Sequence, residues 1–229
     1  VAGSSPIELC FPFIDANPDF IEDTWHTVGL RGTGSHDVIL NDFFVEDAFC
    51  GVVANNSLPL PDLPFYRLPS ALRFPFPKTG VAAGLASRAI TDFKFLAEEK
   101  TPLNSKRSLK ERPDAAVALA KAEALVGTGQ AWVHEQLDAV WYVDENYEPV
   151  TSDLHARVRL ACSWSVQNAI RAIQHLVDAA GSTANFQNSG LMSLLDDARA
   201  VAGHFMVASY QLDTAGRVLL GLDAGDPAF

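Results

Sequence analysis

The stretch PDAAVALAKAEALVGTGQAWVHEQLDAVWYV, residues 113–143, decides the fold. Pro113 suits a first helical position, where a missing N–H costs nothing. Behind it Val117, Ala120, Ala124, Leu125, Ala131, Val133, Leu137, Val140 and Trp141 recur at the spacing of one helical face. Working outward, Thr79 is placed to cap an earlier helix that carries Val81, Leu85, Ala89 and Phe93 and is stopped by Thr101-Pro102. A later helix is expected from a Ser152 or Asp153 cap through Leu154, Val158, Ala161, Ser165, Ile170, Ile173 and Val177 to Gly181. A fourth is expected from near Ser189 through Leu191, Leu195, Ala198, Ala202 and Phe205 to Leu220. Four such helices joined by short turns predict an up-down antiparallel bundle over residues 78–229.

Ahead of Lys78 the pattern is extended. Ile7 to Ile14, Phe20 to Val28 and Asp37 to Val45 are rich in β-branched and aromatic residues, and Asn-Pro-Asp and Arg-Gly-Thr-Gly-Ser supply turns between them. Asn41-Asp42 interrupts the third segment and suggests a bulge or a strand passing out of the core. Residues 57–77 hold Pro59, Pro61, Pro64, Pro69, Pro75 and Pro77, too many for a helix interior or a central strand. The predicted class is therefore α+β, mostly α: a partial antiparallel β domain over 1–56, a Pro-rich connecting loop over 57–77, and the helical bundle.

Composition narrows the function. With 229 residues, 48% of them hydrophobic and 20% charged, the chain is not a disordered one. The 28 acidic against 17 basic residues give a net charge of -11, which disfavours nucleic acid and anionic membrane as partners. No apolar stretch reaches the ~18 residues of a bilayer span. Cys10, Cys50 and Cys162 are odd in number and form no CxxC pair, so a cytoplasmic setting is expected, with neither zinc ribbon nor disulfide framework. The N-terminus VAGSSPIELCFPFID has no basic n-region and reads as a cut end without a signal peptide.

Several residues stand between a structural and a chemical reading. His204 is a packed histidine or a proton-transfer group. Gly181-Ser182-Thr183 is a glycine C-cap followed by polar loop, or an anion-binding turn. Lys106-Arg107 is solvated charge or a phosphate ligand. Phe74 and Phe76 are core or an aromatic wall. Arg31-Gly32-Thr33-Gly34-Ser35 lacks the Lys and following helix of a phosphate loop and reads as a hairpin turn. His26 and His36 have no acidic or cysteine partner at ligand spacing, so no metal site is expected. His134, His155 and His175 lie singly on helices and need no functional account.

TWHTVGLRGTGSHDVILNDFFVED (residues 24–47), LKERPDAAVALAKAEALV (109–126), AAGSTANFQNSGLMSLLDDARAVAGH (179–204) and AGRVLLGLD (215–223) occur in this order. Together they resemble the acyl-CoA dehydrogenase-fold flavoproteins, and most of all the flavin-dependent monooxygenases of that fold, such as those acting on 4-hydroxyphenylacetate, dibenzothiophene and steroid-derived phenols. Members of that group begin with a helical domain and the first β strands, so the resemblance implies that an N-terminal part of the fold is absent here. It implies an oxygenase component that takes reduced FMN or FAD from a separate flavin reductase, forms a C4a-hydroperoxyflavin and hydroxylates a small aromatic molecule. The apolar faces of four helices leave more hydrophobic surface than one chain can cover, so a homodimer or homotetramer built through the helices is expected.

By the same resemblance His204 matches a histidine near the flavin, and Gly181, Ser182 and Thr183 match a phosphate-binding turn. Lys106 and Arg107 match a cation given to a neighbouring subunit's flavin, and Phe74 and Phe76 open toward the substrate. Val177-Asp178 stands where the dehydrogenases show Gln before Gly-Gly, so FMN fits at least as well as FAD. An acyl-CoA dehydrogenase needs a carboxylate base. Asp196-Asp197-Ala198-Arg199 is instead followed by Ala-Val-Ala-Gly-His-Phe-Met, and Phe74 to Ala89 holds no carboxylate. A dehydrogenase with its base supplied from elsewhere, and a non-catalytic oligomerising fragment, are the alternatives.

Overall fold

A computed structural model describes residues 10–52 and 66–226. The chain divides into two units: residues 1–27 with 31–69, and Val28–Leu30 with Ser70 onward.

In the first unit β1 (Cys10–Pro12) pairs antiparallel with β4 (Cys50–Val52), Phe11 facing Gly51. β2 (Ile21–Glu22) pairs with β3 (Asp37–Val38), Ile21 facing Val38. Residues 7–9 of the first expected segment lie outside the described residues; elsewhere the strands are shorter than the expected segments, and β4 was not expected at all. The Asn17 side chain accepts from the Asp19 amide at 3.0 Å and opens a 3-10 turn over Pro18–Phe20, which offers the backbone an alternative to pairing. Beyond β3, Asp42 takes a left-handed φ of 46°. The Arg31–Ser35 segment lies in a long β2–β3 connection rather than a tight hairpin: Arg31–Thr33 is a 3-10 turn, and Gly34 takes φ 55°. Phe13, Phe20, Phe43, Phe44 and Phe49 line an open cleft of about 590 Å³.

The second unit is helical: α1 (Ser70–Arg73), α2 (Pro75–Glu99), α3 (Pro113–Glu145), α4 (Ser152–Ala180), α5 (Leu191–Ala202) and α6 (Gln211–Leu219). Helix starts before Lys78, because Pro75 and Pro77 fall in the first turn of α2, where their missing N–H groups break no bond. Of the expected Pro-rich loop, residues 57–65 lie outside the described residues. Thr79 is not a cap. It is buried inside α2, and its hydroxyl donates to the Pro75 carbonyl at 3.0 Å. Ahead of α3, Ser108 and Glu111 form a reciprocal capping box. The cap of α4 is Thr151 rather than Ser152 or Asp153: its hydroxyl accepts from the Leu154 amide at 3.2 Å.

Helix α4 is the axis of the core. It packs against α2, α3, α5 and α6, and Val158, Ala161, Val166, Ala172, Ile173 and Leu176 on it are fully buried. Small residues let α3 come close: a Cβ on Gly129 would lie 2.9 Å from the Ser165 hydroxyl.

The expected fourth helix is two. α5 ends at Gly203, and residues 203–210 form turns before α6. Side chains take the groups that a continuous helix would use, which is a recognised route to breaking one. Tyr210 Oη and Gln211 Nε2 each donate to the Phe205 carbonyl at 3.0 Å, and the Ser163 hydroxyl donates to the Ala208 carbonyl at 3.0 Å. Val28–Leu30 docks on α5: the Leu30 amide donates to Asp197 Oδ1 at 2.6 Å, and a Cβ on Gly29 would run into the Asp196 carbonyl. No helix among the described residues is long and apolar enough to cross a membrane.

Candidate functional site

The break between α5 and α6 places His204 on a turn at the edge of the helical unit. Its Nδ1 accepts the Met206 amide at 3.3 Å. In the neutral ring this assignment from the hydrogen-bond network leaves the proton on Nε2, so Nε2–H is the free donor. Partial burial, and then the nearby Lys78 ammonium, hold its pKa below the ordinary histidine value. The ring stacks on Phe205 at 4.8 Å between centroids, and Phe205 is 48% exposed.

Lys78 connects this turn to the start of α2. Its Nζ lies 5.5 Å from the centre of the Phe74 ring, one helical turn back at the i, i+4 spacing. The structure thus gathers Phe74, Lys78 and His204 into one neighbourhood. Phe74 is 45% exposed, and Phe76 is half-buried in the same turn. Sequence reasoning missed Lys78, although its spacing from Phe74 was available as a signal.

The turn is fastened from below by polar groups. Gln211 is fully buried and also donates to Asp226 Oδ2 at 3.3 Å. Beneath it Arg159 is fully buried, its Nε 3.5 Å from His155 Nε2. His155, expected to need no account, therefore belongs to this cluster: burial, then the Arg159 charge, depress its pKa to about 4 against the pull of Asp226. Cys162 on the same helix is buried, and burial pushes its thiol up to about 12, which excludes a thiolate nucleophile at neutral pH.

The second candidate region is the end of α4. Gly181 has φ 60°, and its amide closes on Asp178 and Val177, a glycine C-cap. Gly181–Asn185 then continues as a 3-10 turn. Gly181 and Ser182 line a cleft of about 270 Å³ with Lys100, Arg112, Asp114 and Asp178. Lys100 Nζ donates to the Ala180 carbonyl at 2.6 Å, and Arg112 grips Asp114 with bonds of 3.0 and 2.6 Å. Lys106 and Arg107 are exposed on the same connection but do not line the cleft. Lys100 and Arg112 are the cations that sequence reasoning passed over. Lys100, the Ser182 hydroxyl and Gly181, with open space where a Cβ would stand, can meet an anionic group, while Asp114 holds Arg112 and Asp178 adds a second carboxylate to the lining.

His26 and His36 do have an acidic neighbour: Asp23 Oδ1 lies 3.2 Å from His36 Nδ1 and 4.0 Å from His26 Nε2. Asp23 stands three residues before His26 in the sequence, and β2–β3 pairing brings it to His36. Among the described residues no group of three or more His, Cys, Asp or Glu could hold a metal ion.

The family model for the acyl-CoA dehydrogenase C-terminal domain matches residues 78–209. The chain belongs to that family. An indole-3-acetate monooxygenase of Acinetobacter baumannii is 30% identical over 207 residues, covering 90% of this chain and 53% of that protein. The HsaA oxygenase subunit of a flavin-dependent monooxygenase of Mycobacterium tuberculosis is 25% identical, covering 80% and 48%. Among solved structures, XiaF from Streptomyces, in complex with FADH2 and glycerol, superposes with a TM-score of 0.79 at 22% identity, over 91% of this chain and 55% of that one. This acyl-CoA dehydrogenase C-terminal domain chain spans about half the length of the curated relatives it matches. Its helical fold is that of the superfamily.

Proposed function

We propose that this chain is part of the oxygenase component of a two-component monooxygenase, in which reduced flavin from a separate reductase is used to hydroxylate a small aromatic substrate. The observation that carries the reading is the grouping of Phe74, Lys78 and His204, with no carboxylate in either α2 from Phe74 to Ala89 or the turn after Asp197. Relatives acting on indole-3-acetate support an aromatic substrate.

The residues present fit a flavin. When bound, the flavin supplies the electrons that activate dioxygen. Lys100 and Ser182, beside Gly181 and Thr183, would hold its phosphate, with Lys106 and Arg107 reaching a neighbouring copy. Phe74 and Phe76 would bound the substrate and keep water from it. His204, neutral at working pH, would donate from Nε2 to an oxygen of the reacting group and exchange a proton there. Exposed apolar residues on the helices support a homodimer or homotetramer.

The test is to supply the intact protein with chemically reduced FMN or FAD, ¹⁸O₂ and a panel of phenols and arylacetates. One labelled oxygen in a hydroxylated product is expected. Oxidation of an acyl-CoA thioester with a dye acceptor, without oxygen insertion, would establish the dehydrogenase reading instead.

A further inference from the structure

A single peptide group governs the ring of His204. The Met206 amide that donates to His204 Nδ1 at 3.3 Å belongs to the same peptide as the Phe205 carbonyl. That carbonyl receives two donors, Tyr210 Oη and Gln211 Nε2, each at 3.0 Å, so both of its lone pairs are used. The peptide is planar and trans, and its oxygen and N–H therefore point in opposite directions. Holding the oxygen toward the start of α6 aims the N–H at the imidazole. Donation to the carbonyl also polarises the peptide and strengthens its N–H as a donor.

Gln211 is built for this grip. Its nitrogen serves two acceptors, the Phe205 carbonyl and Asp226 Oδ2 at 3.3 Å, so its amide orientation is assigned by its partners. Its Oε1 is buried with no hydrogen-bond partner. An orphaned buried acceptor is costly, and an apolar side chain of similar size would avoid that cost. What the amide supplies is a pair of donors that joins the Asp226 carboxylate to the Phe205 carbonyl.

We propose that Tyr210 and Gln211 are positioning residues that fix the tautomer of His204: by orienting the Phe205–Met206 peptide they keep a donor on Nδ1, so that the ring proton stays on Nε2. The inference rests on the reading of His204 as the group that donates to the reacting oxygen. A carboxylate partner would accept from Nδ1–H and leave Nε2 a base. An amide partner leaves Nε2–H a hydrogen-bond donor on a neutral ring, the form that polarises an oxygen.

The experiment is ¹⁵N NMR of the intact protein with ring-labelled histidine at about pH 8, where the imidazole is neutral. It compares Tyr210→Phe, Gln211→Met and Ser163→Ala with the parent, and His204→Gln assigns the signal. In the parent the proton is expected on Nε2. Tyr210→Phe and Gln211→Met should each raise the ratio of Nδ1–H to Nε2–H by about two- to tenfold, the scale of one hydrogen bond. Tyr210 is 51% exposed, so its variant decides the matter should Gln211→Met lower Tm. Ser163→Ala removes the bond to the Ala208 carbonyl in the same turn but leaves the Phe205–Met206 peptide untouched, so there the ratio should hold. A proton on Nδ1 in the parent, a ratio unmoved in Tyr210→Phe, or an equal shift in Ser163→Ala overturns the proposal. Failure of the monooxygenase reading has a separate signature: the tautomer shifts as expected in a protein that inserts no oxygen.

Discussion

His204 accepts a backbone amide on one nitrogen and stacks on Phe205, and the charge of Lys78 helps hold its pKa down. It is only half-buried, so His204→Ala leaves no large cavity, and Tm is expected to change little. Hydroxylation per folded molecule should fall by about 10²-fold, the usual scale for an acid-base group, with oxygen consumption diverted to hydrogen peroxide. Product, peroxide and Tm measured on one preparation check this, and normal coupling would return His204 to a packing role. His155 makes the opposite kind of prediction. Its pKa is depressed to about 4 when folded, against about 6.5 when unfolded. Its contribution is therefore complete above pH 6.5 and is lost as pH falls toward 4, because the unfolded chain binds the extra proton. Solvent access reduces the effect to about 1 to 2 kcal/mol. Urea unfolding at pH 7 and pH 4.5 should show that loss, and His155→Gln should shrink it.

At the scale of elements, the helices were legible because their apolar faces repeat without interruption. The 113–143 pattern predicted α3 to within two residues of its end. What failed was decided by polar side chains acting across the fold. The expected fourth helix breaks because Tyr210, Gln211 and Ser163 claim the carbonyls of Phe205 and Ala208, and no local periodicity announces that Ser163 is beside Ala208. Thr79 resembled a cap only because Pro75 and Pro77 looked like loop residues. In the candidate site the resemblance pointed to His204 and Phe74, whereas Lys78 and Lys100 stand out only from what the fold places beside them. The contact of Gly29 with α5 yields a direct test. Gly29→Ala places a methyl group against the Asp196 backbone carbonyl, which cannot rotate aside as a side chain does. A loss of about 2 kcal/mol or more is expected from urea unfolding, while Gly80→Ala, which meets open space within α2, should be neutral or stabilising.

For the whole molecule, apolar exposure is the dominant feature. Phe95, Val117, Trp141, Tyr142 and Phe186 in the helical unit are each more than 40% exposed, and Leu103 is 92% exposed. Light scattering of the intact protein at micromolar concentration should give a dimer or tetramer, since covering such surface is the usual drive for symmetric association; a clean monomer would remove this expectation. The docking of Val28–Leu30 on α5 also has a consequence in time. The Leu30 amide and its Asp197 acceptor are 167 residues apart in the chain. At ribosomal rates of ~5–20 residues per second, an interval on the order of ten to thirty seconds separates their synthesis. Throughout that interval the loop carrying Gly29 has no surface on which to close, so its docking waits on the synthesis of α5, and until then the nascent chain carries an unfinished edge.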